Sequence, residues 1–420
     1  MQMIQYDSLL SKQHPSHWNV VRNKAFLSIT GEVVGKRANE YTLLSLTTNG
    51  VIVRDVESGK GKFPKDFDTY QVVKPDELVF CLFDIDETPR TVGLVKKEGM
   101  LTGAYTALKV NKEMASPRFV YYYYLAVDNI KGLKPYYSGL RKTVRADKFL
   151  QIYIPIPPLP EQVKIVNYIE NKTSKIDEYI AEKEKEVQLL NELKESEIAK
   201  VVTQGLNPKV KMKDSGISWI GMIPEHWGKK QLRAFLKIFS NKGHGDAQLL
   251  SVTRELGVIL RDKDNKEENH NFVPDDLSGY KYIEKGDFVI NKMKAWQGSY
   301  AVSNNDGIVS PAYYTCKLTG VEKDFFSLAI RSKAYVGFFT SHSKGIRVGQ
   351  WDLDPNALKS IPFFLPPLDE QRAIVDYINE KTTKVESLIT ELQAEIEHLK
   401  EYKQRLIADC VTGQVNVQNI

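Results

Sequence analysis

Cysteine is scarce in this 420-residue chain, limited to Cys81, Cys316 and Cys410, which lie far apart. That spacing argues against a disulfide framework or a cysteine-cluster metal site. No run approaches the roughly 18 uninterrupted apolar residues that a membrane span needs. The first 13 residues lack a charged start followed by an apolar stretch, so no secretory leader is expected. Charge of one sign is lacking too: 58 Lys and Arg against 53 Asp and Glu leave a net charge of +5. These absences predict a reduced, cytoplasmic protein with no membrane partner, long enough for two or three globular domains.

Catalytic motifs are missing as well. The segment Gly31 to Arg37 is one residue short of a Walker A loop and lacks its Ser/Thr. No Gly-x-Gly-x-x-Gly opens a helix, so no dinucleotide or S-adenosylmethionine cradle of that kind is expected. Asn207-Pro208 and Asp354-Pro355 lack the second Pro and the aromatic of an adenine methyltransferase motif. His14 and His17 flank Pro15 and belong to no His-Glu-x-x-His, so no metal site is assigned. No Ser/His/Asp or Cys/His set stands out, and a non-catalytic reader or adaptor is the expectation.

What the sequence does contain is a repeat. Residues 159–203, LPEQVKIVNYIENKTSKIDEYIAEKEKEVQLLNELKESEIAKVVT, recur at 368–412 with no gap, at a lag of 209 and with 20 identities in 45. The same lag carries Pro15, His17 and Trp18 onto Pro224, His226 and Trp227. Between these anchors the match is looser but keeps its order. LLSLTTNGVIVRD (43–55) matches LLSVTRELGVILRD (249–262) with one insertion, YQVVKPDELVF (70–80) matches YKYIEKGDFVI (280–290), and GMLTGAY (99–105) matches GIVSPAY (307–313). A unit this long is a domain and not a solenoid repeat. Four segments follow: a globular unit at 1–157, a helix at 158–205, a second unit at 206–366 and a helix at 367–420.

Charge follows the same division. The globular segments hold 22 basic against 16 acidic and 23 against 17 residues; the helical ones reverse this, 7 against 10 and 6 against 10. Basic bodies suit a polyanion and acidic helices a different partner, although excesses of this size also occur on ordinary surfaces. Short β-branched and aromatic runs at 51–53, 152–156 and 288–291 read as strands, and 119–127 and 325–336 as helix, which makes the class α+β.

The repeated helix has an 11-residue apolar period, close to 3.67 residues per turn, and at 1.5 Å per residue 45 residues make a rod of about 68 Å. Ile165, Ile169, Ile176, Ile180, Val187, Leu190 and Ile198 mark the stripe in the first copy. Ile374, Ile378, Val385, Ile389, Ile396, Leu399 and Ile407 mark it in the second. Such stripes are expected to bury on one another, antiparallel within one chain with a pseudo-twofold axis, or else across a dimer. Glu182, Glu186, Glu391 and Glu395 point outward, either as a plain solvated face or toward a partner.

At IPPLPEQVKIVNYIENKTSKID, LPPLDEQRAIVDYINEKTTKVESLI and DSGISWIGMIPEHWGKKQLR (214–233) the chain resembles type I restriction-modification specificity subunits. The likeness covers essentially the whole length, most securely in the helices. It implies two target-recognition domains that each read one half of a bipartite, asymmetric double-stranded DNA site, with the antiparallel helices as a ruler. It implies two methylation subunits docked on the conserved regions and restriction subunits joined through the complex. S-adenosylmethionine, ATP and Mg2+ would then belong to those partners, with no cofactor on this chain. Two alternatives keep part of this: an orphan or regulatory copy without a working complex, and a structural coiled-coil protein whose domains bind protein.

Base readout takes Arg, Lys, Asn, Gln, Ser or Thr on loops of a rigid domain, with further cations on phosphates. In the second unit the candidates are Thr253, Arg254 and Arg261; Lys292, Lys294, Trp296 and Gln297; and Arg347, Gln350 and Trp351. In the first they are Thr47, Arg54, Arg90, Thr91, Arg141, Lys142 and Arg145. Each alone is as readily a solvated or structural residue, so the groups carry more weight than their members. Trp18 and Trp227 read as core or interface anchors. Divergence between residues 86–90 and 292–297 predicts two different half-sites, hence a non-palindromic target.

Overall fold

A computed structural model describes residues 2–5, 8–54, 67–139, 142–262, 273–345 and 351–417. The chain divides into two compact units, Met1–Glu184 with Gln393–Ile420, and Lys185–Leu392. Each is α+β.

The first unit holds strands β1 (Leu27–Thr30), β2 (Leu78–Phe80), β3 (Val92–Leu94) and β4 (Thr106–Val110) in the antiparallel order β1-β4-β2-β3. The second holds β5 (Leu236–Phe239), β6 (Phe288–Asn291), β7 (Tyr300–Val302) and β8 (Tyr313–Leu318) in the order β5-β8-β6-β7. The topology is the same twice over, as a duplicated sequence requires. The central strands are apolar on both faces, with Leu78, Val79 and Phe80, and Phe288, Val289 and Ile290, all buried. Beside each sheet stands a hairpin, Leu44–Thr47 with Gly50–Val53 and Leu250–Thr253 with Gly257–Leu260.

The longer helices of the units are α1 (Pro117–Asn129), α2 (Leu159–Gln204), α3 (Lys323–Arg331), α4 (Lys333–His342) and α5 (Leu368–Val411), beside short ones at Ala146–Phe149 and Pro355–Ser360. Helix α1 opens on Pro117, where the missing N–H costs nothing, and buries Phe119, Val120, Tyr123 and Tyr124. The sequence pattern at 325–336 predicts a single helix, and the structure has two. Ser332 is extended (φ −65°, ψ 154°), and both its N–H and its hydroxyl donate to the Ala329 carbonyl, the hydroxyl at 2.7 Å, so the helix ends on a local turn.

The two long helices are antiparallel where each unit contains them. In the first unit Asp177 meets Lys403 at 2.6 Å and Lys183 meets Glu395 at 3.6 Å, so α2 rises as α5 falls. In the second, Lys194 meets Glu386 at 3.2 Å and the Tyr377 hydroxyl donates to Glu197 at 2.7 Å. The apolar stripe is not a helix-pairing seam throughout. Ile165 and Ile169 join the first unit's core, and there Ile407 joins them from α5. Ile374 and Ile378 join the second unit's core, with Ile198, Val201 and Val202 from α2 packed there as well. Ile180, Ile389 and Ile396 are buried in the middle stretches, while Ile176, Val187, Leu190, Val385 and Leu399 are half-buried. Tyr179 and Leu388, on the neighbouring row, are exposed.

The second helical segment also stops short of the expected 420. Helix α5 ends at Val411, and Gly413, at φ +73°, turns the chain so that Val417 enters the first unit's core. Each core is therefore closed by the start of one long helix and the end of the other.

Candidate nucleic-acid interface

Two levels of structure set up the candidate surface: the junction that fixes each unit to the helices, and the loops the unit then presents. The junction follows from one ladder. Asn19–Arg22 pairs antiparallel with Tyr153–Ile156, and Gly228–Gln231 with Pro362–Leu365. Each ladder brings the His-Trp pair at the unit's start beside the Pro-Pro-Leu-x-Glu-Gln that opens its long helix. His17 Nε2 lies 2.8 Å from Glu161 Oε2, and His226 Nε2 lies 2.8 Å from Glu370 Oε2. Trp18 Nε1 also donates to Glu161, whereas Trp227 Nε1 is buried without a hydrogen-bond partner.

The following glutamine works from the other side. Gln162 donates to the Pro157 carbonyl and accepts from the Ser116 N–H, which caps α1. Gln371 does the same with Pro366 and with Glu322, which caps α3. Both glutamines are buried. Two helix N-termini are tied together by one amide in each unit, which satisfies donors that would otherwise be orphaned. Trp18 and Trp227 are core residues at 4% and 1% exposure. These Glu-Gln roles are not among the sequence-derived site residues, although recurrence at the 209 lag marked the pair.

The hairpins come next. Thr47 is half-buried, and its hydroxyl donates to the Gly50 carbonyl and accepts from the Asn49 N–H, closing the turn. Thr253 closes the longer turn in the same way, with Gly257 and Leu256. Arg54 and Arg261 are half-buried just after their hairpins, each N–H donating back to Leu43 and Leu249. Arg254 is exposed at the tip of the second hairpin.

In the first unit Asp128 gathers several of the candidates. Arg90 reaches it at 3.1 Å, Thr91 donates both its N–H and its hydroxyl to it, and Lys131 adds a contact at 2.8 Å. Thr91 is buried, which removes it from any accessible readout set, and Arg90 is committed to a structural ion pair with a carboxylate 3% exposed. Lys142 is exposed and bridges Asp86 and Glu87, each at 3.3 Å. The Tyr137 hydroxyl, with help from Lys142, holds the Asp86 carboxyl below its ordinary value. Arg145 is exposed, with Asp147 at 3.0 Å. Arg141 lies outside the described residues.

In the second unit Lys294 and Gln297 are exposed and Lys292 pairs with Asp352 at 3.1 Å. Trp296 and Trp351 come together, ring centroids 5.0 Å apart, as a half-buried aromatic pair beside these cations. Arg347 and Gln350 lie outside the described residues. Arg254 and Gln297 line one cleft of about 640 Å³ with Lys194, Arg331 and Lys333. Arg331, a residue missed from sequence, donates to the carbonyls of Arg254 at 2.9 Å and Glu255 at 2.7 Å. Burial pulls its ionisation below the ordinary arginine value. Among the described residues no group of three or more His, Cys, Asp or Glu is placed to hold a metal, and no helix is long and apolar enough to cross a membrane.

Fold and sequence define a duplicated protein, one α+β unit made twice, with loops that differ between the copies on a repeated scaffold. Residues 47–189 match the model of the type I restriction modification DNA specificity domain. The type I restriction enzyme MjaVIII specificity subunit of Methanocaldococcus jannaschii is 24% identical over 345 residues, 77% of this chain and 76% of that protein. The putative MjaX specificity subunit of the same organism is 23% identical over 290 residues, 66% and 63% of the two chains. A chain in a solved structure described as the basis of assembly and conformational transition of the type I R-M system shares the fold. Its TM-score is 0.65 at 15% identity, over 96% of this chain and 99% of that one. Over these lengths the chain is similar in sequence to type I restriction enzyme specificity subunits.

Proposed function

We propose that this chain selects the DNA sequence for a type I restriction-modification complex. Each unit reads one half of a bipartite, asymmetric double-stranded site, and α2 with α5 fixes the distance between the halves. The observation that carries the reading is how the duplication divides. Sheet order, junction and hairpin-closing threonine recur, whereas the loops around Asp86–Lys142 and Lys292–Gln297 and the hairpin tips differ in charge and length. A repeated scaffold with different loops suits two different half-sites.

Two methylation subunits dock on the helices and junctions, bringing S-adenosylmethionine and the adenine chemistry. Restriction subunits add ATP, Mg2+ and cleavage. This chain contributes no catalytic group and holds none of those cofactors, and the complex works in the cytoplasm. The test is adenine-methylome sequencing of cells that carry this chain with the methylation subunit encoded beside it, against cells deleted for this gene. A two-part, non-palindromic methylated motif that vanishes on deletion is expected. A palindromic motif would overturn the two-half-site reading, and a purified complex without sequence-selective DNA binding would favour the coiled-coil alternative.

A further inference from the structure

The two hairpins depart from each other at one point. Both keep Leu-Leu-Ser before the turn and a closing threonine, but the first turns through Thr48-Asn49 and the second through Arg254-Glu255-Leu256. The three-residue turn closes on Gly257 in the left-handed region, with the Leu256 N–H donating to the Thr253 hydroxyl. Here Arg331, at the end of α3, uses one guanidinium nitrogen to donate to two successive tip carbonyls, those of Arg254 and Glu255. The fit is close. Gly257 turns at φ +73°, and a Cβ there would lie 3.0 Å from the Arg331 guanidinium.

In the first copy the residue at the corresponding place on α1 is Leu125, which lines a cleft with Asn49 and Gly50 but has no group to donate. The clamp and the longer tip therefore occur together, in the second unit. Its effect is to fix the backbone while leaving the side chains in solvent. Arg254 and Glu255 side chains are 70% and 75% exposed, and Leu256 is 71% exposed. Leu256 is thereby held outward on the turn, and the adjoining cleft is net basic: Lys194, Arg254, Arg331 and Lys333 against Glu195 and Glu255. A rigid backbone, one guanidinium, one apolar end and a basic surround match a DNA base edge. The guanidinium suits guanine O6 and N7, and the apolar end suits a thymine methyl.

We propose that the Arg254–Leu256 tip is a base-reading element of the second unit, with Arg331 as its positioning residue and Leu256 as its apolar contact. The inference rests on the DNA-reading function proposed above. Only the second half-site depends on it, because the first unit has neither the longer tip nor the clamp.

The test uses the full chain in complex with its methylation subunits, selecting from a randomised DNA library, with the two half-sites scored separately. Three variants are compared: Arg331→Leu, which installs the first copy's residue; Arg331→Lys, which keeps one donor; and Leu256→Ala, which alters only an exposed side chain. Arg331→Leu is expected to cut preference within one half-site by about tenfold or more, the scale of one lost base contact. Arg331→Lys should recover part of it, and Leu256→Ala should relax one or two positions of the same half-site. In every case the other half-site stays as in the parent chain, which a general loss of stability would not produce. Should Arg331→Leu disrupt the unit and lose both half-sites, Leu256→Ala decides alone. Unchanged preference in Leu256→Ala and Arg331→Leu overturns the inference and leaves the proposed function intact. A parent complex that selects no half-site at all removes both.

Discussion

Glu161 and Glu370 occupy equivalent places but do not carry equal loads. Glu161 accepts from both Trp18 and His17 and is 9% exposed at its side chain; Glu370 meets His226 and is 23% exposed. A bond to a charged acceptor is worth about 1.5–3 kcal/mol when one end is buried. Glu161→Gln is therefore expected to destabilise its unit by about that amount, and Glu370→Gln by less. Denaturant unfolding of the two variants checks this, and the reverse order would contradict it. Asp128 carries more, because its removal strands Arg90 and Lys131 together. Asp128→Ala is expected to cost about 3 kcal/mol or more, read from the shift in calorimetric midpoint. The cysteines make a pH statement. Burial pushes the thiols of Cys316 and Cys410 from an ordinary 9.0 up to about 12. The unfolded chain ionises them first, so their contribution to stability is complete below about pH 9 and is lost as pH climbs from there toward 12. A thiol reagent at pH 8 is expected to label neither site until the protein is unfolded.

At the scale of elements, the helix pair was legible from sequence because an uninterrupted 11-residue period survives any tertiary context. The strands at 152–156 and 288–291 were legible for a similar reason, being short runs of β-branched and aromatic residues. What sequence could not supply was the partner of each stripe residue. Ile165 and Ile407 have the same period as Ile180, yet they belong to the first unit's core, which Ile407 meets from a segment far along the sequence. The same holds for the candidate surface. Thr47 and Thr253 were visible as a recurring pair, but a hydroxyl that closes a turn and one that meets a base are identical in sequence. Arg90 and Thr91 looked accessible until Asp128, 37 residues further from Thr91, was placed beside them. The helix pair also offers a test of its own. Lys403 with Asp177 and Lys194 with Glu386 are one ion pair repeated at the 209 lag. Reversing Lys403 to Glu is expected to cost about 0.3–1 kcal/mol, and adding Asp177→Lys should restore most of it. A double-mutant cycle in denaturant supplies the coupling, which is expected to weaken in high salt.

At the scale of the molecule, the order of the chain and the order of its contacts disagree. Residues 393–420 follow the second unit in sequence but belong to the first, where Leu406, Ile407, Cys410, Val411 and Val417 are core. Each of the larger apolar side chains is worth about 1.5–3 kcal/mol of burial. A chain ended after residue 392 is therefore expected to lose the first unit, 1–184, while the second keeps its fold. Hydrogen exchange resolved by peptide would show protection lost at residues 78–80 and 106–110 but kept at 288–291 and 313–318. Equal loss in both would contradict the division.

The same tail sets an order of events on the ribosome. Residues 1–184 emerge first, yet their core stays open until residues 406–417 have cleared the exit tunnel. The second unit needs nothing beyond residue 392, so it is the one able to close first. Synthesis of this protein therefore leaves its oldest segment waiting longest, exposed to chaperones and proteases while the younger half is already complete.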